Sequence, residues 1–134
     1  MAEDAALPYP AARHSLGTVV AVGRLGLGVG ALLAPRPLLS TWIGTESASE
    51  RSTQVLGRAL GGRDVALGAL ALQAINSGAR SGAARTAVAL GAFADAVDMT
   101  ATLRAWGSLP RGRRWLTLAL TLGATAAGVL AVLD

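Results

Sequence analysis

One stretch constrains this chain more than any other. Residues 54–73 read QVLGRALGGRDVALGALALQ, with the length and apolar flanks of a membrane helix, yet they hold Arg58, Arg63 and Asp64. On an insertion scale, each large aliphatic residue at mid-helix gains about 0.3–0.6 kcal/mol, and each Arg or Asp costs about 2.5–3.5 kcal/mol. Val55, Leu56, Leu60, Val65, Leu67, Leu70, Leu72 and Ile75 together supply about 2–5 kcal/mol, whereas three unpaired central charges cost about 7–10 kcal/mol. The charges win, so this helix cannot stand alone in lipid and requires partners from the rest of the chain.

The composition agrees with a membrane setting. Hydrophobic residues make up 52% of the chain and charged residues 15%, with a mean hydropathy of +0.49, too apolar for an ordinary small soluble domain. Glycine is abundant (17 residues) while aromatics reach only 4%, which suits helices packed closely through small side chains. The pattern predicts an all-α fold, an integral membrane antiparallel four-helix bundle. A polar tail (1–15) precedes one domain (16–134) with spans at 16–34, 54–75, 84–104 and 115–133. The tail has an acidic start and does not read as a signal peptide. Pro35 and Pro37 end the first span. The apolar segment 37–44, which contains Trp42, reads as interfacial. The polar segment 45–53 follows, with Ser52 or Thr53 as a cap for the next helix.

Each span carries a small or polar face at helical spacing. In the first it is Gly17, Ala21, Arg24, Gly28 and Ala31, and in the second Gly57, Gly61, Asp64, Gly68 and Ala71. In the third it is Ala84, Val88, Gly91, Asp95, Asp98 and Thr102, and in the fourth Thr117, Thr121, Ala124 and Gly128. Trp106 and Trp115 read as interface anchors. Arg36, Arg51, Arg104, Arg111, Arg113 and Arg114 fall on the first and third loops, against Arg13, Arg80 and Arg85 on the tail and second loop. The positive-inside rule then puts the first and third loops in the cytoplasm and both termini outside it, in a multi-pass protein of the cell membrane.

Six charges lie within the spans: Arg24, Arg58, Arg63, Asp64, Asp95 and Asp98. They sum to zero. Depth along the helices suggests Arg24 and Arg63 with Asp64 and Asp95, and Arg58 with Asp98. Intramembrane charges face the interior, pair with one another and mark function by default, although paired charges can also serve only to fix helix order and register. Asp64, Asp95 and Asp98 are the candidate acid–base groups, because burial and a nearby Arg act oppositely on a carboxyl and can split roles between neighbours. There is no cysteine, no metal-ligand motif, no phosphate loop and no nucleophile triad, so no metal or cofactor is expected. The basic residues are all Arg and scattered, without interleaved aromatics, which argues against nucleic acid.

The run Gly61-Gly62-Arg63-Asp64-Val65-Ala66-Leu67-Gly68 fits G-x-R-D-x-x-x-G in a second apolar helix. In this it resembles small four-helix bacterial integral membrane proteins classed as domains of unknown function. The resemblance implies a membrane bundle and no particular activity. Several functions remain open. The charge cluster is a pocket for a lipophilic ligand or substrate, or the coupling site of a small proton-coupled transporter. Otherwise the chain is a noncatalytic assembly subunit of a membrane complex. The partners implied are the lipid bilayer and a second copy or another membrane protein. A soluble helical bundle is the alternative to the membrane reading, since only the fourth span is free of charge. A topology reporter fused after Asp134 is expected to signal a non-cytoplasmic terminus, and a cytoplasmic signal inverts the assigned orientation.

Overall fold

The computed structural model describes residues 11–76 and 82–133, and among them it is helical with no strand. The elements are α1 (Ala11–Leu33), α2 (Pro35–Ile43), α3 (Thr45–Ser49), α4 (Arg51–Asn76), α5 (Gly82–Arg104) and α6 (Arg114–Leu133). The four long helices α1, α4, α5 and α6 cover the four segments expected to be helical. Residues 1–10 of the expected tail lie outside the described residues, and α1 starts at Ala11 rather than at 16.

α1 stops where the proline rule requires. Ala34 precedes Pro35 and is pushed out of helical geometry (φ −136°, ψ 65°). Pro35 then opens α2, where its missing N–H is no loss, and α2 leaves at 111° to α1. The segment expected to be interfacial is therefore a short helix lying across the end of the bundle. The region 45–53 is a correction to the sequence reading: it holds α3 and the first turn of α4 rather than a loop. Ser52 and Thr53 sit inside α4 and do not cap it. The Gln54 amide donates to the Glu50 carbonyl at 3.0 Å, so the helix begins one step earlier. Gly44, at φ +90°, makes the turn between α2 and α3 in a conformation that strains other residues.

α1 and α4 run antiparallel in close contact, α5 packs along α6, and α4–α5 and α1–α6 contacts close the ring. The α1–α4 seam is made of glycine. A Cβ on Gly28 would lie 2.7 Å from the Gly61 carbonyl oxygen, and one on Gly61 would lie 2.7 Å from the Gly28 carbonyl oxygen. Further along, a Cβ on Gly68 would meet the Ala21 carbonyl oxygen at 2.9 Å. In each case the nearest atom is backbone, which cannot yield as the end of a flexible side chain can. The absence of a side chain is what lets the two backbones touch.

The distribution of side chains is inverted relative to a water-soluble bundle. The buried apolar residues are mostly alanines, among them Ala21, Ala31, Ala74, Ala87, Ala92 and Ala94. The large apolar side chains face outward, including Val19, Leu27, Leu56, Leu90, Phe93, Leu116 and Leu120. By length and composition, Thr86–Arg104 is apolar enough to cross a membrane, and 28% of that segment is buried within the bundle. Gly17–Leu33 qualifies only together with Pro35–Ile43 beyond the bend. α4 falls short because it carries Arg51, Arg58, Arg63 and Asp64, and the end of α6 lies outside the described side chains.

Adjacent glycines of α4 test this seam. Gly61→Ala drives a Cβ into backbone and should cost about 1–3 kcal/mol, the usual scale of overpacking. Gly62→Ala meets nothing within 4 Å and should be neutral or slightly stabilising. Equal melting temperatures for the two variants would contradict the close approach.

Candidate functional site

The glycine seam brings Arg24 of α1 level with the middle of α4 and α5. Its side chain is 10% exposed and divides between two helices. Nη1 donates to Asp64 Oδ1 at 3.1 Å. Nη2 donates to Asp95 Oδ2 at 2.5 Å and to the Gly91 carbonyl at 3.2 Å. Arg63 extends the chain of contacts. Its Nε and Nη2 reach Asp64 Oδ1 at 3.2 and 3.1 Å. It also grips Asp98 as a fork, Nη1 to Oδ1 at 3.2 Å and Nη2 to Oδ2 at 2.7 Å. The result is a ladder, Asp95–Arg24–Asp64–Arg63–Asp98, that crosses three helices.

Local sequence explains who faces whom. Asp64 lies on the Gly57/Gly61/Gly68 stripe and therefore faces α1. Arg63, one residue earlier, is turned by about 100° toward α5. On α5, Asp95 and Asp98 are three residues apart and share a face, so the first takes the guanidinium from α1 and the second the one from α4. Thr102, one further turn along, is buried, and its hydroxyl donates to the Asp98 carbonyl at 2.8 Å.

Arg58 departs from the expected arrangement. It is exposed and forms no salt bridge among the described residues. The depth argument matched it to Asp98, but its direction overrides depth. Arg58 and Arg63 are five residues apart, about 140° around the helix, and the side of α4 that meets α5 is the Arg63 side. The expected neutrality fails with it, because the ladder joins three carboxylates to two guanidinium groups. The other candidates, Arg24, Arg63, Asp64, Asp95 and Asp98, come together in one network.

A cavity adjoins the α1–α5 end of this ladder. Arg24 and Asp95 are its charged lining, and Ala21, Gly91, Ala124 and Ala127 are among the small residues that form its wall. Its volume is about 30 Å³, enough for one or two water molecules. Asp95 Oδ2 is taken by Arg24, while its Oδ1 accepts no hydrogen bond among the described residues. Sequence reasoning missed the Gly91 carbonyl as a ligand of Arg24. Its position four residues before Asp95, on the same face, was the available signal. The alanines of α6 at the cavity gave no signal beyond their size.

Comparison of the chain with protein-family models, curated proteins and solved structures gives no match. The likeness of the Gly61–Gly68 run to a membrane family thus stands on that motif alone.

The ladder makes a sharp contrast between the two arginines of α4. Arg63→Ala strands Asp98 without its fork and removes two of the three donors from Asp64. Loss of one partner from a fully buried pair costs about 3–5 kcal/mol, and somewhat less is expected here because Arg63 is 30% exposed. Arg58→Ala should change stability by less than about 0.5 kcal/mol. The exchange Arg63→Asp with Asp98→Arg should recover part of the single-variant loss, and thermal melting of the purified proteins reads all three outcomes.

Proposed function

We propose that this chain is a multi-pass membrane protein and that its Arg–Asp ladder is a proton-binding centre of the kind used in proton-coupled transport. The membrane part rests on the inversion of the bundle. A soluble protein keeps extensive apolar surface covered, and a bilayer is the partner that covers it on every side at once. In lipid the large side chains gain nothing by being buried, and small residues at helix contacts together with interior polar pairs hold the helices.

The proton part rests on a single observation: three carboxylates share two guanidinium groups in the interior. An uncompensated charge there is costly, and a carboxyl that takes a proton removes it. Asp95 is the group for this role. Asp98 is held by a fork and Asp64 by three donors, whereas Asp95 shares one guanidinium with Asp64 and lines the cavity, its second oxygen accepting no hydrogen bond among the described residues. A cavity sized for water suits delivery of a proton. It does not suit a lipophilic ligand, and this is why the transport reading is preferred to a substrate pocket. The bilayer is then the principal partner, with the first and third loops on the cytoplasmic side.

Two measurements test the reading separately. The protein should remain in membranes washed with alkaline carbonate and require detergent for extraction. Infrared spectra of the reconstituted protein at neutral pH should contain a protonated-carboxyl band that shifts in D₂O. Asp95→Asn imitates the protonated side chain, so it should keep near wild-type melting and lose the band. Absence of the band in the wild type, or its persistence in Asp95→Asn, refutes the assignment of the proton to Asp95.

A further inference from the structure

The ladder uses two of the arginines, and six others gather at one end of the bundle. α2 and α3, the start of α4, the end of α5, the 105–113 segment and the start of α6 all meet there. Arg36, Arg51, Arg104, Arg111 and Arg113 are exposed, and Arg114 is half-buried. Among the described residues, none of the six forms a salt bridge. The acidic residues at this end are Glu46 and Glu50, both exposed. The positive charge is therefore uncompensated.

This end is also built rather than loose. Arg113 Nη1 donates to the Ser40 carbonyl at 2.5 Å, tying the α5–α6 segment to α2. Pro110 lies against Gly44 and Leu109 is buried. Trp106 and Trp115 meet edge to face at 4.9 Å, and the Arg114 guanidinium lies 5.0 Å from the centre of the Trp106 ring. Arg114 Nε is buried without a hydrogen-bond partner, so a donor at this end stands unsatisfied. Indole rings partition to the headgroup level of a bilayer, and guanidinium groups bind phosphate with directed N–H pairs.

We infer that this end of the bundle, centred on Arg104, Arg111 and Arg114 beside Trp106 and Trp115, binds the headgroups of anionic phospholipids. The proposal rests on the membrane reading above. It adds a lipid selectivity that membrane insertion by itself does not require, since a bundle can sit in a zwitterionic bilayer. Each arginine near an anionic surface contributes about 1 kcal/mol, or about fivefold in affinity.

The site carries its own probe. The chain has three tryptophans and two of them, Trp106 and Trp115, lie in the site. In the full-length protein in neutral detergent micelles, adding phosphatidylglycerol should shift the tryptophan emission saturably, and added salt should weaken the effect. Phosphatidylcholine at the same mole fraction should leave the emission unchanged. Arg104→Gln with Arg111→Gln should weaken phosphatidylglycerol binding by about 25-fold. Both side chains are exposed, so folding, read by melting temperature, should be unchanged. Equal response to the two lipids, or full response in the double variant, overturns the proposal while leaving membrane residence intact. Equivalent competition by inorganic phosphate at the same concentration overturns it in favour of a soluble phosphate site. Release of the protein by carbonate washing removes the membrane reading, and the lipid site with it.

Discussion

The bundle depends on Arg24. It stands on α1, its two terminal nitrogens point to carboxylates on different helices, and the rest of the ladder follows from that bridge. The bridge in turn requires the glycine seam. A side chain at Gly28 or Gly61 would push α1 and α4 apart at the level where Arg24 must reach Asp64. A small-residue stripe and a charge cluster, which look like separate features in the sequence, are one device: the seam sets the distance and the ladder sets the register. α6 contributes no charge to the ladder. It supplies alanines to the cavity wall and hydroxyls, such as Thr121 and Thr125, that bond back to its own helix carbonyls.

Much of this arrangement was legible from residue spacing. The faces through Gly17, Ala21, Arg24, Gly28 and Ala31, and through Gly57, Gly61 and Gly68, are the faces that meet, because helical periodicity fixes direction once the helix exists. Asp64 stands between two arginines for the same reason. The mispairing of Arg58 arose where sequence is weakest. Depth along a helix can be read from residue count, but the side a neighbour occupies is a tertiary fact, and nothing in the sequence says whether α5 lies on the Arg58 or the Arg63 side of α4. The short helices were missed for a different reason. Nine residues, two of them prolines, ahead of a glycine carry too little periodicity to declare a helix, and a helix that short is held by its packing rather than its propensity. Leu39 seated on Gly57 supplies that packing.

The division of the arginines has a consequence for charge. A bundle with three interior arginines and three interior aspartates would be neutral without help. Here Arg58 is outside, and it cannot be recruited by a simple side-chain rotation. Its direction differs from that of Arg63 by about 140°, measured across the face of α4 that turns away from α1. Bringing Arg58 to Asp98 would mean turning α4 about its axis, which would carry Gly61 and Gly68 away from α1 and undo the contact that positions Arg24. The two constraints are incompatible, so the fold holds a carboxylate in excess. Water, a cation or a proton must answer for it. Among the described residues no cluster has the acidic ligands to hold a metal ion, and one or two waters in the cavity can solvate a carboxylate without cancelling its charge. A proton on the least-satisfied carboxyl cancels it outright and costs no hydrogen bond, because Asp95 needs one oxygen for Arg24 and keeps the other. On the reading proposed above, the packing that excludes Arg58 from the ladder is what leaves a carboxyl for a proton to neutralise.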